Sequence, residues 1–253
     1  MHEQYSEQVE ALAKRYQDAE GLVIKMANYA GSQVENILPE IPEGFEKQLE
    51  TIVQGALDAA YTTSEALSTT PFTPETPTYF HKAAVTFAGA IGGLTGLPGA
   101  LAELPVTITT MFSSIQKIAG KYEFDQTHPE TKLECIKVFS MGGPLDADDE
   151  LDLSFVSLRL GLQGELVTQL ISKVAQKMSL IISQKLWSQA IPFVGAITGA
   201  SLNFAFMSYY EEMAHVRFGL KKLQKEYPDK DPLTDFKQLI SDKTTPQENL
   251  NTA

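Results

Sequence analysis

Two polar side chains interrupt two apolar stretches, and any chemistry in this sequence has to begin with them. Glu103 is the first charged residue in GAIGGLTGLPGALAELP, Gly89 to Pro105, and Asn203 stands inside IPFVGAITGASLNFAFMSYY, Ile191 to Tyr210. Left buried without a partner, such groups cost about 1–3 kcal/mol or more each. They must therefore cross-link or cap helices, or line a groove for a lipid head group or a peptide. A catalytic carboxylate at Glu103 would need an acid, base or metal partner, and the sequence nominates none.

Other reactive signatures are absent from the sequence. GAIGGL lacks a following Gly-Lys-Ser/Thr and a preceding strand, so no phosphate cradle is encoded. Neither G-x-S-x-G nor H-E-x-x-H occurs. His2, His81, His128 and His215 are scattered without ligand spacing, so no metal or other cofactor is expected. The run DADDELD, Asp146 to Asp152, lacks the glycine and the distal glutamate of a calcium loop and reads as a solvated acidic loop. An enzyme is the weaker reading; if there is one, it is a hydrolase with an unfamiliar site near Glu103.

The elements that would position these residues are helical. From Tyr5, the positions Val9, Leu12, Tyr16, Ala19, Val23, Met26 and Ala30 fall three and four apart, one stripe on a helix running up to Leu38 before Pro39 and Pro42. A second pattern, Phe45, Leu49, Ile52, Val53, Ala56, Leu57, Ala60 and Tyr61, predicts an antiparallel partner for the first. STTPFTPETP, Ser68 to Pro77, packs proline too densely for either element and reads as a linker.

The apolar block Ala83 to Phe112 follows, with breaks expected at Pro98 and Pro105. Next come the turn GKYEFDQTHPE and a helix from Glu130 to Met141, ended by Gly142, Gly143 and Pro144. Leu166, Val167, Leu170, Ile171, Val174, Met178, Ile181, Ile182 and Leu186 mark an amphipathic helix with Lys173, Lys177 and Lys185 largely on its other side. The Ile191–Tyr210 block runs on through His215, Arg217, Lys221, Lys222 and Lys225 as one helix, and the chain after Pro228 is polar. With no period-two pattern between turn signals, the fold class is all-α: a multi-helix bundle with two central Gly-rich apolar helical segments. Three units are expected: a helical hairpin and linker at 1–78, a helical core at 79–227 and a polar tail at 228–253.

Composition limits the partners. The chain has 253 residues, 43% of them hydrophobic, enough for a real core. Thirty-two acidic against twenty basic residues give a net charge of −12, which argues against nucleic acid. The single Cys135 excludes an intramolecular disulfide and reads as a small buried hydrophobe in a reducing compartment. The opening MHEQYSEQVEALAKRYQ lacks the apolar core of a secretory signal.

Both charge-free intervals approach the roughly twenty residues that cross a bilayer. Gly92 with Gly96, just before Leu97 and Pro98, and Gly195 with Gly199 form small-xxx-small pairs that permit close helix contact. Against full insertion stand the prolines together with Thr95, Thr198, Ser201 and Asn203. A hairpin that dips into a bilayer, or stays in a soluble bundle until it meets one, fits better. Lys173, Lys177 and Lys185 before the second block, and Arg217, Lys221, Lys222 and Lys225 after it, could each add about 1 kcal/mol at an anionic lipid surface; Glu211, Glu212 and Glu226 subtract. Two further readings stand beside this one: a soluble module whose glycine-rich helices bind an acyl chain or apolar peptide, and plain core helices with solvated polar faces.

The two blocks also carry a resemblance. GAIGGLTGLPGALAELP with the segment to AGKYEFDQTHPETKLECIKV, and the lysine-bearing helix with IPFVGAITGASLNFAF, resemble the paired signatures of the EcsC protein family over about Phe80 to Lys222. Gly92, Gly93, Gly96, Leu97, Pro98, Leu104 and Pro105 correspond to the first signature, and Pro192, Gly195, Gly199 and Asn203 to the second. The family pattern places an aspartate before the Leu-Pro, where Glu103 stands. The resemblance implies a bacterial, largely helical, membrane-associated protein. It would sit in the cytoplasm at the inner face of the cell membrane, bind membrane lipid and assist a membrane transporter or protein secretion. The oligomeric state is not encoded in any of these features.

Overall fold

The computed structural model describes residues 2–32, 44–62, 97–141, 164–188 and 194–244. Among them the chain forms seven helices and no strand: α1 (His2–Ser32), α2 (Phe45–Thr62), α3 (Leu97–Lys121), α4 (Pro129–Val138), α5 (Gly164–Ser188), α6 (Val194–Glu226) and α7 (Pro232–Thr244). The all-α expectation holds. The linker at 68–77, the acidic run at 146–152, and Gly92 and Gly96 lie outside the described residues.

Apolar spacing decides which face of each outer helix turns inward. Tyr5, Val9, Leu12, Tyr16 and Ala19 of α1 are buried, as are Phe45, Leu49, Val53, Ala56, Leu57 and Ala60 of α2 and Val167, Ile171, Val174, Met178 and Ile182 of α5. Full burial of a Val, Leu, Ile, Phe or Met side chain contributes about 1.5–3 kcal/mol. Helix α6 is different: from Ala205 to Leu220 all its residues are buried except the half-buried Glu212 and His215, so neighbours surround it.

Cross-contacts give the directions. Arg15 meets Glu212 and Leu12 packs on Gly219, so α1 runs antiparallel to α6. A Cβ at Gly219 would come within 2.7 Å of Leu12 Cδ2, which explains why the smallest residue stands there. Glu103 reaches Asn203 and Ser114 reaches Glu211, so α3 runs parallel to α6. Helix α4 is antiparallel to α6, with Glu134 at Arg217 and Phe139 on Tyr210. Helix α7 lies on α1, Phe236 edge-on to Tyr16 at 5.9 Å, and α2 packs on α5 and α3.

Several expectations need correction. The predicted α1–α2 pair is not the main packing among the described residues: α1 lies on α6 and α7, and α2 on α3 and α5. Both N-terminal helices and Phe236 of α7 belong to the same core cluster as the central helices, so the N-terminal segment does not build a core of its own. The 228–253 segment is more than a polar tail, since Pro232 starts α7 and Asp231 caps it, accepting from Thr234 N at 3.2 Å. Pro105 does not break α3. It stands on the exposed side, where water can reach the Leu101 carbonyl that it leaves without an N–H partner.

The ends of α3 and α4 follow local rules. Glu123 adopts a left-handed φ of 67°, Phe124 N donates to Ala119 O at 3.1 Å and Glu123 N to Gly120 O at 3.0 Å, the paired bonds that close a helix C-terminus. At the next start, the His128 side chain accepts from Glu130 N and Pro129 takes the first helical position.

Candidate functional site

The two polar residues that stand out in the sequence come together. Asn203 of α6 is fully buried, and its Nδ2 donates to Glu103 Oε1 of α3 at 3.2 Å across one hundred positions of sequence. Further along the same seam, buried Ser114 donates its hydroxyl to Glu211 Oε1 at 2.6 Å. Glu103, Thr107, Thr110 and Ser114 recur on one side of α3, the last three of them buried. Thr110 returns its hydroxyl to Val106 O at 2.7 Å. The seam locks two parallel helices in register. Chemically the Glu103–Asn203 contact joins a carboxylate to an amide, which neither gains nor loses a proton near neutral pH, so Asn203 is no proton-transfer partner.

A second polar cluster sits between α4 and α6. Helix α4 has no apolar stripe; Thr131 through Val138 are all buried, Lys132, Glu134 and Lys137 among them. Glu134 Oε2 accepts from Arg217 Nε at 2.7 Å, and its Oε1 lies 3.1 Å from Lys221 Nζ and 3.4 Å from Lys137 Nζ. Burial alone would raise the Glu134 carboxyl, but Arg217, Lys221 and Lys137 outweigh it and hold the group down to about 2. Beside it, Cys135 is fully enclosed, and burial followed by the nearby Glu134 charge pushes its thiol well above the ordinary range. Lys132 reaches across to Tyr61 O of α2 at 3.4 Å, and Tyr209 donates to Met141 O at 2.7 Å.

These contacts redistribute the basic residues expected at a lipid surface. Arg217 is corrected outright: it is 0% exposed and bound to Glu134, so it cannot reach a bilayer. Lys221 joins the same carboxylate, Lys222 lies 3.0 Å from Glu123, and Lys225 stands over the Phe124 ring at 4.1 Å. On α5, Lys173 is exposed and Lys177 is half-buried, donating to Ser140 O at 3.2 Å. Lys185 lies in α5, Leu97 and Pro98 in the first turn of α3, and Gly195 and Gly199 in the first turns of α6.

The outer side of α3 is bare where the charge-free run ends. Ala102 and Pro105 are exposed, and Val106 is 58% exposed. No described helix is long and apolar enough to cross a membrane. Among the described residues no group of His, Cys, Asp and Glu could hold a metal ion. A cleft of about 320 Å³ between α1 and α7 is edged by Glu10, Lys230, Asp235 and Gln238, a lining too charged for an acyl chain. Within it Tyr5 donates to Asp235 at 2.5 Å, and burial, reinforced by that carboxylate, raises the phenol.

Sequence reasoning missed the Glu134 cluster and the Ser114–Glu211 bond. Two buried acids in helices carry no periodic mark. The density of charge in PETKLECIKV, on a helix without an apolar side, was the available signal. Comparison with known proteins gives one match: the model of the EcsC protein family covers residues 3–223, beginning in α1 well before Phe80. No curated protein and no solved structure matches.

Proposed function

The chain belongs to the EcsC protein family, and from that premise we propose that it is a non-catalytic, amphitropic helical protein that binds membrane lipid. It works at the cytoplasmic face of the cell membrane and assists a membrane transporter or secretion machinery. The observation that carries the reading is the strip Ala102, Pro105 and Val106, apolar and exposed at the end of a run with no charge from Ala83 to Ala102. An apolar helix face open to water gains free energy when covered by lipid, without having to cross the bilayer. The Glu103–Asn203 bond supports the same reading, because it fixes this end of α3 to α6 and holds the strip outward on a rigid support.

Cell fractionation tests the proposal. The protein is expected in the membrane fraction at low salt, with release by detergent, and Val106→Asp should lower the bound share about tenfold by removing apolar area and adding a like charge to an anionic surface. Wild-type protein found wholly in the cytosolic fraction at low salt overturns the reading.

A further inference from the structure

The cleft between α1 and α7 is lined by charges of both signs that are not spent on one another. Its floor is Tyr5 and Val9, both buried; Glu10 stands on α1, Asp235 in the first turn of α7, and Lys230 in the connection before it. Among the described residues none of the three charged groups forms an ion pair. Local bonds hold them in place instead. Lys230 N donates to Tyr227 O at 3.0 Å, Lys230 O accepts from Gln224 Nε2 at 3.1 Å, and its half-buried ammonium lies 5.7 Å from the centre of the Tyr5 ring. Tyr227 meets that ring edge-on at 5.1 Å. Asp235 Oδ2 accepts from Tyr5, which leaves Oδ1 for a ligand, whereas the neighbouring acid Asp231 is bound to Thr234.

We infer that this cleft binds a free basic amino acid, a lysine- or arginine-like molecule with its carboxylate on Lys230 and its two cationic groups on Asp235 and Glu10. Charge complementarity carries the inference: two anions and one cation on the cleft face two cations and one anion on the ligand. A plain diamine would leave Lys230 opposite a like charge, and an acidic amino acid would crowd Asp235 and Glu10. Inside a peptide the α-amino and α-carboxyl groups are tied up in amide bonds and offer neither charge. The volume of about 320 Å³ lies at the lower end for small-molecule sites and suits one amino acid. No residue of the Ala102–Val106 strip lines the cleft, so the inference stands apart from the lipid reading.

Isothermal titration of the full chain at low salt with lysine, arginine, leucine and cadaverine tests the assignment. Saturable binding of lysine or arginine with a Kd below about 1 mM is expected, cadaverine being about tenfold weaker for want of a carboxylate and leucine about fivefold weaker for want of a second cation. Lys230→Gln should weaken lysine about tenfold without weakening cadaverine. Asp235→Asn, whose amide oxygen can still accept from Tyr5, should weaken both about tenfold. Glu10 is exposed, so Glu10→Gln should cost lysine only about fivefold. Lys230→Gln and Glu10→Gln leave the core untouched, and circular dichroism melting should stay as in wild type. No binding of either basic amino acid up to about 10 mM overturns the inference. So does cadaverine or leucine binding as tightly as lysine, or lysine binding that none of the three variants weakens.

Discussion

Two buried polar sites on α6 are built by opposite means. Toward its C-terminal end, Arg217 and Lys221 converge with Lys137 on one carboxylate, Glu134. From its middle toward its N-terminal end the hydrogen bonds come from neutral groups, the Asn203 amide to Glu103 and the Ser114 hydroxyl to Glu211, with one cation, Lys117, acting on Glu211 from nearby. The difference lies in what happens when one member is removed. A charge cluster leaves an uncompensated ion in a dry interior, whereas a hydrogen bond to a neutral group leaves a polar atom short of one partner. The first arrangement punishes any rearrangement of α4 against α6. The second tolerates adjustment at the end of the bundle where the apolar strip meets solvent.

The largest test is Arg217→Met, which keeps bulk but strips Glu134 of its closest cation. Urea unfolding should show a loss of about 3–5 kcal/mol; a loss under about 1 kcal/mol would mean that the lysines suffice and that the two sites differ little.

Acid probes the same carboxylate in the wild-type chain. Glu134 is held down to about 2 from an ordinary 4.5, so its contribution is complete above about pH 4.5 and declines as pH falls toward 2. Stability followed by denaturant from neutral pH into that window should fall with a component that is missing in the Arg217→Met variant. An identical acid profile in both proteins would break the link to Glu134.

At the other end the effect should be smaller. Asn203→Ala is expected to cost about 1–3 kcal/mol, since it removes a buried donor from Glu103 and trims packing. Vesicle binding by that variant sharpens the comparison: if Glu103–Asn203 holds the α3 strip outward, binding should fall by more than the fraction of protein unfolded accounts for.

The outer helices were legible because water imposes a period on them. Val9, Leu12 and Tyr16, or Leu49, Val53 and Ala56, are apolar at helical spacing and are buried. The partner of each helix was not legible, since α1 would bury the same stripe against α2 or α6. The cost of a polar group in apolar surroundings marks Glu103 and Asn203, the two halves of a real contact. It did not reveal that they touch. Glu134 went unnoticed because α4 is enclosed all round, so no alternation separates its inner residues from its outer ones. Charge alone places Arg217 at a lipid surface, whereas its partner 83 positions away holds it inside. Pro105 reads as a break in the sequence because the rule concerns interior carbonyls, and Pro105 stands on the exposed side of α3.

Cys135 gives the bundle a built-in clock. Its sulfur is shut between α4 and its neighbours and is the single thiol in the chain. A thiol-reactive dye in solution can attach only after those helices part, so the labelling rate counts how often α4 comes away from the helices around it, without any probe being engineered in.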